Sequence, residues 1–529
     1  MSKNSQTKII FISISILYAA GNFIWWQINT PVIPFAIAAR HFLDIFEKGY
    51  LFYNAPFMTY ITRFFFFLFG KEYFDLIIIL INYIFFLISL YFIYKIGNEL
   101  KDKETGNIAM LLFALVPAIY GMSRQYGHQD YHIIAPLTFN IYCLIKAEHF
   151  KNRKWSLLYG ISVGVGLMIK DTFSSYFFPP FAIILVQSLR KNFKTSTIIN
   201  VLIAVSSACL ISGWHYFRFL IFRKLVNEPI TDPGAPVFSF ESLRVMTIGL
   251  WDELLSPPIF LLFLIGLVWF IAKYKSYYKY PFIFYMLVPW TVIMFMPQQK
   301  YSEFAAACIP IMILISALFI SNIRKETVKK IIIIVTVCIG MLQYIDFSYG
   351  IDTKLFNSGF KYKKHRISYY NKKNQAIISY NNKRDILKIQ VRDYLKENYP
   401  DANILIKELS NDTVDNLSFI SWMYLNNFKV VNDDLFNFPQ VQDIDIIVST
   451  HKSMTPDELI SSRMHFLCTT FQEDVNASNR IYLLEQLKIL KQREKEISDN
   501  FTEIKSFSHI KNDPQQIIIS ARKSELNTK

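Results

Sequence analysis

The feature that most constrains this chain is a series of apolar runs, separated by short loops rich in lysine and arginine. A membrane-spanning helix needs about 20 apolar residues, because each residue rises 1.5 Å through a hydrocarbon core of about 30 Å. The composition agrees, since 52% of the residues are hydrophobic and only 18% are charged, against about 25% charged in soluble domains. The pattern therefore predicts about eleven transmembrane helices. They are predicted at 9–28, 73–95, 107–123, 131–147, 155–170, 173–189, 197–216, 256–272, 280–297, 303–321 and 329–347.

The basic residues of the short loops predict how these helices are oriented. The first run, Ile9 to Ile28, has no small-residue cleavage site, so we interpret it as a retained helix with a cytoplasmic N-terminus. The basic clusters then fall in inside loops, as the positive-inside rule requires. These clusters are Lys95/Lys101/Lys103, Lys146/Lys151/Arg153/Lys154, Arg190/Lys191/Lys194, Lys273/Lys275/Lys279 and Arg324/Lys325/Lys329/Lys330. The net charge of +15 is explained by this orientation and does not indicate a nucleic-acid partner.

Two domains are predicted, a transmembrane domain over 1–347 and a soluble α/β domain over 348–529. The outer loop 29–72 holds an amphipathic helix around Phe35 to Phe46, followed by a second apolar stretch, Phe57 to Phe69. After residue 347 the sequence turns polar, and alternating helices and strands favour a small parallel or mixed sheet. The predicted elements are helix Ile386–Asn398, strand Asn403–Leu409, helix Ser418–Asn426, strands Lys429–Val431 and Asp443–Ser449, helix Arg480–Ile497 and strand Gln516–Ala521.

Ionisable residues at the outer edge of the membrane are the main indication of function, because charges in lipid are expensive and are usually functional. They are Asp44 and Glu47 in the first outer loop, Arg124, His128 and Asp130 in the turn between spans three and four, Lys170 with Asp171 after span five, and Lys300 with Tyr301 before span ten. Lysine and arginine bind phosphate through charge-assisted hydrogen bonds. A carboxylate can accept the proton of an attacking hydroxyl. This combination suits a substrate with a lipid tail and a phosphate head.

A non-functional interpretation stands beside this one. A single Asp or Arg at a helix end is often a solvated cap, and Asp44 and Glu47 also fit the solvated face of an amphipathic helix. His128 and His132 are four residues apart and could share a helix face, but no third ligand lies near them. The five cysteines show neither zinc-ligand spacing nor a disulfide framework. The sequence therefore predicts no metal site.

Four stretches resemble the motifs of one family. They are Ala38-Ala39-Arg40-His41-Phe42-Leu43 with Gly49 and Tyr53-Asn54-Ala55-Pro56-Phe57, the outer turn Ser123-Arg124 to Asp130, the glycine-rich span Gly160 to Lys170, and Lys300-Tyr301 with Ala305 to Pro310. In their order they are similar to the polyprenyl-phosphate-sugar-dependent glycosyltransferases of the GT-C fold, in the group that contains protein O-mannosyltransferases and the lipid A aminoarabinose transferase. The resemblance implies a polytopic α-helical membrane protein, GT-C-like, with a C-terminal soluble α/β domain.

The resemblance also implies a reaction and its residues. A polyprenyl-phosphate sugar enters from the outer leaflet, and a glycan, lipid or protein hydroxyl displaces its phosphate at the anomeric carbon. Asp44, with Asp130 and Glu47, is then expected to act in catalysis. Arg124, His128, Lys170, Arg218, Lys300 and Tyr301 are expected to bind substrate. No nucleotide sugar is implied, a divalent cation is left open, and the location is the inner (plasma) membrane of a bacterial cell, with the C-terminal domain periplasmic or extracellular.

One departure from the family keeps alternatives open. The family's catalytic Asp follows the first span, where this chain has Asn29-Thr30-Pro31-Val32, and no carboxylate occurs between Lys8 and Asp44. Either Asp44 or Glu47 takes over that role, or the helix has a different register, or the chain does not catalyse this transfer and is an inactive GT-C scaffold that binds a partner. A transporter of lipid-linked saccharides is a third hypothesis, although the inverted repeats and broken helices typical of transporters are not evident in the sequence.

Overall fold

The structure is a computed structural model of the chain. It describes residues 3–29, 56–70, 73–124, 129–191, 194–226, 247, 249–295, 302–349, 359–362, 365–368, 383–406, 429–431, 444–450, 499–507 and 517–523. The chain divides into two compact units. The first comprises Met1–Thr30, Tyr50–Leu68 and Asp75–Ile378, and the second comprises Pro31–Gly49, Phe69–Phe74 and Ser379–Lys529.

The first unit is built from apolar helices. In chain order the helices are α1 Lys3–Asn29, α2 Phe57–Phe69, α3 Phe74–Leu100, α4 Lys103–Ala114, α5 Pro117–Met122, α6 Gln129–His132, α7 Ile134–Lys146, α8 Arg153–Ile169, α9 Phe173–Lys191, α10 Thr195–Val226, α11 Pro257–Lys273, α12 Lys279–Phe295, α13 Ile309–Ser321 and α14 Glu326–Tyr349. A π-helical turn, Leu250–Leu255, precedes α11, and a 3-10 helix, Ser302–Cys308, precedes α13. A short antiparallel hairpin follows α14, with strands β1 Gly359–Tyr362 and β2 His365–Ser368.

Each predicted span overlaps at least one of these helices. Four helical segments of the described chain are long and apolar enough to cross a membrane, judged by length and composition: Ser5–Ile24, Leu76–Leu100, Thr195–Phe217 and Glu326–Ile345. The predicted third span is not one continuous helix, since α4 ends at Ala114 and α5 begins at Pro117. Proline has no backbone N–H and closes off the preceding helix. The number of eleven spans stays a prediction.

Helices α8 and α10 pack unusually closely, and two glycines of the Gly-rich span allow it. A Cβ atom on Gly160 would overlap the Ala204 carbonyl oxygen and the Ser207 hydroxyl, and one on Gly164 would lie 2.7 Å from Ile211 Cβ. Small residues let helix backbones approach closely in a membrane. This matters because the hydrophobic effect contributes little to helix association within lipid. The glycines after Tyr159 therefore determine the path of α8, which ends directly before Lys170.

Three of the loops predicted to lie inside contact one another. Lys101 Nζ, after α3, donates to the Ser321 carbonyl oxygen at the end of α13 (2.6 Å). Lys329, at the start of α14, forms a 2.6 Å ion pair with Glu104 of α4. A further ion pair of 3.2 Å joins Lys146 to Glu99. The ends of α3, α7 and α13 thus meet at one end of the helical unit, as the predicted topology requires, while the orientation itself stays a prediction.

The second unit contains a five-stranded mixed sheet in the order β4-β3-β5-β7-β6. Its elements are helix α15 Lys383–Asn398 and strands β3 Asn403–Ile406, β4 Lys429–Val431, β5 Ile446–Thr450, β6 Phe501–Phe507 and β7 Ile517–Arg522. Strand β3 pairs in parallel with β4 and β5, whereas β7 pairs antiparallel with β5 and β6. Ile444, Ile447 and Phe501 form a buried cluster in this unit.

The sequence predicted most of this sheet. All four strands predicted in this domain are present, and each begins and ends within three residues of its predicted bounds. The predicted helix before them is also present and begins three residues earlier, at Lys383. Strand β6 was not predicted, because its run FTEIKSF alternates apolar and polar residues only in part. The predicted helices Ser418–Asn426 and Arg480–Ile497 lie outside the described residues.

The close packing of α8 on α10 generates a stability prediction. We expect Gly160→Ala to lower the free energy of unfolding by about 1–3 kcal/mol, because overpacking forces neighbouring groups apart. Gly213→Ala on α10 is the control, since the nearest atom to a Cβ there is Cys209 Cβ at 4.0 Å. The control should be neutral or slightly stabilising, as alanine favours helix over glycine. Thermal unfolding in detergent measures both, and equal effects would contradict the packing account.

Candidate functional site

The structure joins two of the predicted site residues in an ion pair. Lys170 Nζ donates to Asp130 Oδ2 at 2.5 Å, and the two side chains are 16% and 7% exposed. Asp130 lies on α6, whereas Lys170 directly follows α8. A charge pair this far from water is kept in place only when each charge has close partners. The outer turn and the end of the Gly-rich span therefore converge, as the sequence predicted for one site.

Helix α6 is fixed against α3 by two of its residues, Tyr131 and His132. The Tyr131 hydroxyl donates to the Asn82 carbonyl oxygen (2.9 Å), and a 2.6 Å hydrogen bond joins His132 Nε2 to Asn82 Oδ1. The His132 ring also packs edge-on against Phe85. This buried anchor positions a helix of only four residues, which has little stability of its own. The hydrogen bond to Asn82 also occupies Nε2 of His132, one of the two histidines weighed above as metal ligands.

The fourth family-like stretch packs beside the same helix. Residues Ala305 to Cys308 are buried in the 3-10 helix that contacts α6, and Pro310 lies in the first turn of α13. Tyr176 of α9 is buried as well. The outer turn, the end of the Gly-rich span and the segment from Ala305 to Cys308 thus all approach α6.

Arg124 lies in a different setting, buried among three helices. Its side chain is 2% exposed. Nε donates to Asn22 Oδ1 of α1 (3.0 Å), and Nη2 donates to Ser348 Oγ of α14 (2.7 Å). The guanidinium also lies over the Tyr344 ring, 5.6 Å from its centroid. The planar fork of arginine suits such divergent contacts. In this structure Arg124 links α1 and α14 at the end of α5.

The carboxylate next to Lys170 was predicted only as one of the ionisable residues at the outer edge, with no role assigned to it. Asp171 lies in the turn before α9, and its Oδ1 accepts a hydrogen bond from the Tyr216 hydroxyl of α10 (3.0 Å). Burial raises the pKa of the Asp171 carboxyl, although Tyr216, His215 and Lys170 act in the opposite direction. In the sequence the only signal was an acidic residue adjoining the lysine. Tyr216 gave none, because aromatic residues are common at membrane interfaces.

The remaining predicted site residues fall where the structure gives no side-chain geometry. Asp44, Glu47, His128, Lys300 and Tyr301 lie outside the described residues, and Arg218 lies on α10 with its side chain outside them. Their roles stay predictions. Within the described part of the chain, no group of three or more His, Cys, Asp or Glu side chains could hold a metal ion.

The buried ion pair predicts that the charges of Asp130 and Lys170 stabilise each other, which a double-mutant cycle can measure. Asp130→Leu and Lys170→Met should each lower the free energy of unfolding by about 2 kcal/mol, since each leaves the opposite charge poorly solvated. The double variant Asp130→Leu/Lys170→Met should regain most of that loss. Unfolding in mixed detergent micelles measures the cycle. A double variant whose loss equals the sum of the two single losses would show that the charges are not coupled.

Comparisons with known proteins were made once this geometry was established. Residues 53–216 match the sequence model of a family described as dolichyl-phosphate-mannose-protein mannosyltransferase. The matched region is less than half of the chain, yet it contains Arg124, Asp130 and Lys170 and ends at Tyr216. A comparison with curated proteins gives no match.

Several solved structures are similar at low sequence identity. One is ArnT from Cupriavidus metallidurans bound to undecaprenyl phosphate, with 12% identity and a TM-score of 0.48 over 79% of this chain and 75% of that one. Another is the archaeal oligosaccharyltransferase AglB from Archaeoglobus fulgidus in complex with an inhibitory peptide and a dolichol-phosphate, with 10% identity and a TM-score of 0.47 over 85% of this chain and 70% of that one.

The family match bears directly on the resemblance noted in the sequence. It falls on the outer turn, on the Gly-rich span and on α10, which are the segments that build the ion pair and the Asp171 contact. The predicted resemblance to GT-C glycosyltransferases, and the polytopic α-helical fold class that it implies, are therefore confirmed for this chain through residues 53–216.

Proposed function

We propose that this chain is a membrane glycosyltransferase that moves a sugar from a polyprenyl-phosphate donor to a hydroxyl acceptor. The observation that carries the proposal is the ion pair between Asp130 and Lys170, which is mostly buried yet retains an exposed edge on the lysine. The match to a mannosyltransferase family that is named for a lipid-phosphate donor supports it.

The proposed donor contact is between its phosphate and Lys170. A phosphate oxygen can accept a charge-assisted hydrogen bond from Nζ in place of, or beside, the Asp130 carboxylate. As the bond from the anomeric carbon to the phosphate oxygen breaks, negative charge builds up on the leaving phosphate. A preorganised ammonium group stabilises that charge in a site poor in water. Displacement from Lys170 in turn leaves Asp130 able to accept a proton.

The proposed transfer is a direct displacement. The acceptor oxygen attacks the anomeric carbon, the carbon–oxygen bond to the phosphate breaks, and polyprenyl phosphate leaves with the bonding electrons. The acceptor proton goes to a carboxylate, for which we propose Asp44 with Asp130 assisting and Glu47 as the alternative within the same loop. Attack from the face opposite the phosphate inverts the anomeric centre. General-base catalysis of this kind contributes about 10²–10⁴-fold in rate.

The other predicted binding residues keep supporting roles in the proposal. His128, Arg218, Lys300 and Tyr301 are proposed to contact the donor, and a divalent cation remains open as an additional phosphate ligand. Arg124 is proposed to position the site without contacting the reacting atoms. Its bonds to Asn22 and Ser348 hold the end of α5, from which the outer turn leads to Asp130.

We place the reaction on the outer face of a bacterial inner (plasma) membrane, on the basis of the predicted topology. The C-terminal domain is then periplasmic or extracellular, where it can meet the acceptor. The acceptor class is a cell-envelope glycan, a lipid such as lipopolysaccharide, or a protein.

Sugar transfer in membranes tests the proposal. Membranes containing the chain should transfer label from a polyprenyl-phosphate sugar to endogenous acceptors. Asp130→Asn, Lys170→Met and Asp44→Asn should each reduce the initial rate about 100-fold or more. The double variant Asp130→Leu/Lys170→Met is the informative control, because it is expected to be folded and yet inactive. Full activity in Asp44→Asn and Asp130→Asn would remove these residues from the site.

One observation favours a second function, that of an inactive scaffold. The segment after the first span, where the family has its catalytic Asp, carries no carboxylate between Lys8 and Asp44. A scaffold would bind the lipid phosphate through Lys170 but transfer no sugar. Donor binding without transfer, with every donor and acceptor class tested, would support the scaffold and contradict the enzyme.

A further inference from the structure

The turn that follows Lys170 holds a second carboxylate whose surroundings differ from those of an ordinary helix cap. Asp171 is partly exposed, and its Oδ1 accepts a 3.0 Å hydrogen bond from the Tyr216 hydroxyl. The same hydroxyl lies 3.3 Å from the Leu167 carbonyl oxygen. Tyr216 thus ties the turn to α10 and fixes the carboxylate from one side.

A comparison with Asp102 shows what a capping aspartate does in this chain. Asp102 precedes α4, and its Oδ1 accepts hydrogen bonds from the Thr105 backbone N–H and the Thr105 hydroxyl, both at 2.8 Å. Asp171 lies one residue further from its helix, because Thr172 separates it from Phe173, the first residue of α9. Its backbone carbonyl accepts hydrogen bonds from the backbone N–H and the hydroxyl of Ser174. Its side chain points instead to Tyr216 on another helix. Helix capping therefore does not account for Asp171.

The two aspartates also differ in electrostatics. Burial opposes ionisation of Asp102, but the hydrogen bonds from Thr105 outweigh it and lower the pKa of the carboxyl. For Asp171 burial is the dominant effect and raises the pKa of the carboxyl above its ordinary value, against the opposing effects of Tyr216, His215 and Lys170. The folded surroundings of Asp171 thus disfavour its ionised form relative to the unfolded chain, whereas those of Asp102 favour it.

We propose that Asp171 binds hydroxyl groups of the donor sugar. An ionised carboxylate is an acceptor with about four lone-pair sites, and Tyr216 occupies one of them. Asp171 adjoins Lys170 in the chain, and both lie in the turn between α8 and α9. A phosphate held by Lys170 would therefore bring the attached sugar to the Asp171 carboxylate. This inference rests on the proposed function, because it requires a lipid-phosphate sugar at Lys170.

The test compares two lipids that differ only in the sugar, undecaprenyl phosphate and undecaprenyl-phosphate mannose. With the purified full-length chain in detergent, Asp171→Asn should weaken binding of the mannose-bearing lipid about tenfold or more, as expected for loss of hydrogen bonds to a charged group. Binding of undecaprenyl phosphate should stay unchanged. Lys170→Met should weaken binding of both lipids.

The outcomes separate the two proposals. If the unmodified chain binds neither lipid, the proposed function fails and this inference with it. If it binds both but Asp171→Asn changes neither, or weakens both equally, the sugar contact alone is wrong. The same holds if the unmodified chain binds both lipids equally well.

A stability measurement excludes a purely structural role for Asp171. The raised pKa means that the native state holds its proton more tightly than the unfolded chain, so stability falls as the pH rises above the ordinary carboxyl value. Asp171→Asn should therefore unfold at the same or a higher temperature at neutral pH. Asp102→Asn, the control, should unfold at a lower temperature and bind both lipids normally. If Asp171→Asn instead unfolds at a lower temperature, Asp171 stabilises the fold through its hydrogen bond with Tyr216, and the proposal is wrong.

Discussion

The ion pair between Asp130 and Lys170 is the interaction on which the site depends. Removing two charges from water costs several kcal/mol per ion, and the pair offsets that cost only with good geometry and further hydrogen bonds. The contact of 2.5 Å between Lys170 Nζ and Asp130 Oδ2 meets the first condition. The chain holds one partner on a four-residue helix anchored at Asn82 and the other directly after α8. A membrane protein that maintains such a pair at a helix end retains a group able to exchange partners with an anionic substrate.

The rest of the helical unit positions this pair through close contacts of small and polar residues. Gly160 and Gly164 let α8 lie against α10, which sets where Lys170 emerges and brings Tyr216 to Asp171. Arg124 links α1, α5 and α14 at the other side of the outer turn. Apolar burial contributes little specificity to the association of apolar helices in a lipid bilayer, so these polar and glycine contacts determine which helices are neighbours.

How much the sequence could predict depended on the kind of signal. The helices and the strands at 403, 429, 446 and 517 follow from hydrophobic patterning, which is local and strong. Asp130 and Lys170 were predicted as site residues because ionisable groups beside spans are rare. Their pairing depends on how α6 and α8 pack, and no local pattern encodes that. The break before Pro117 has a local cause in the proline itself, which the reading of one continuous apolar span overlooked. Asp171 was predicted only as an ionisable residue at the outer edge, because its contact with Tyr216 depends on how the helices pack. The predicted phosphate contact of Arg124 stays a prediction, and its Nε and Nη2 atoms donate to Asn22 of α1 and Ser348 of α14.

A structure determined with undecaprenyl phosphate bound tests the central claim most directly. The account predicts a phosphate oxygen about 2.8 Å from Lys170 Nζ, with the Asp130 carboxylate displaced from the ammonium group or sharing it. A lipid phosphate bound elsewhere, with the Asp130–Lys170 contact unchanged and closed to the ligand, would contradict it. In that case the ion pair serves only to hold α6 against α8.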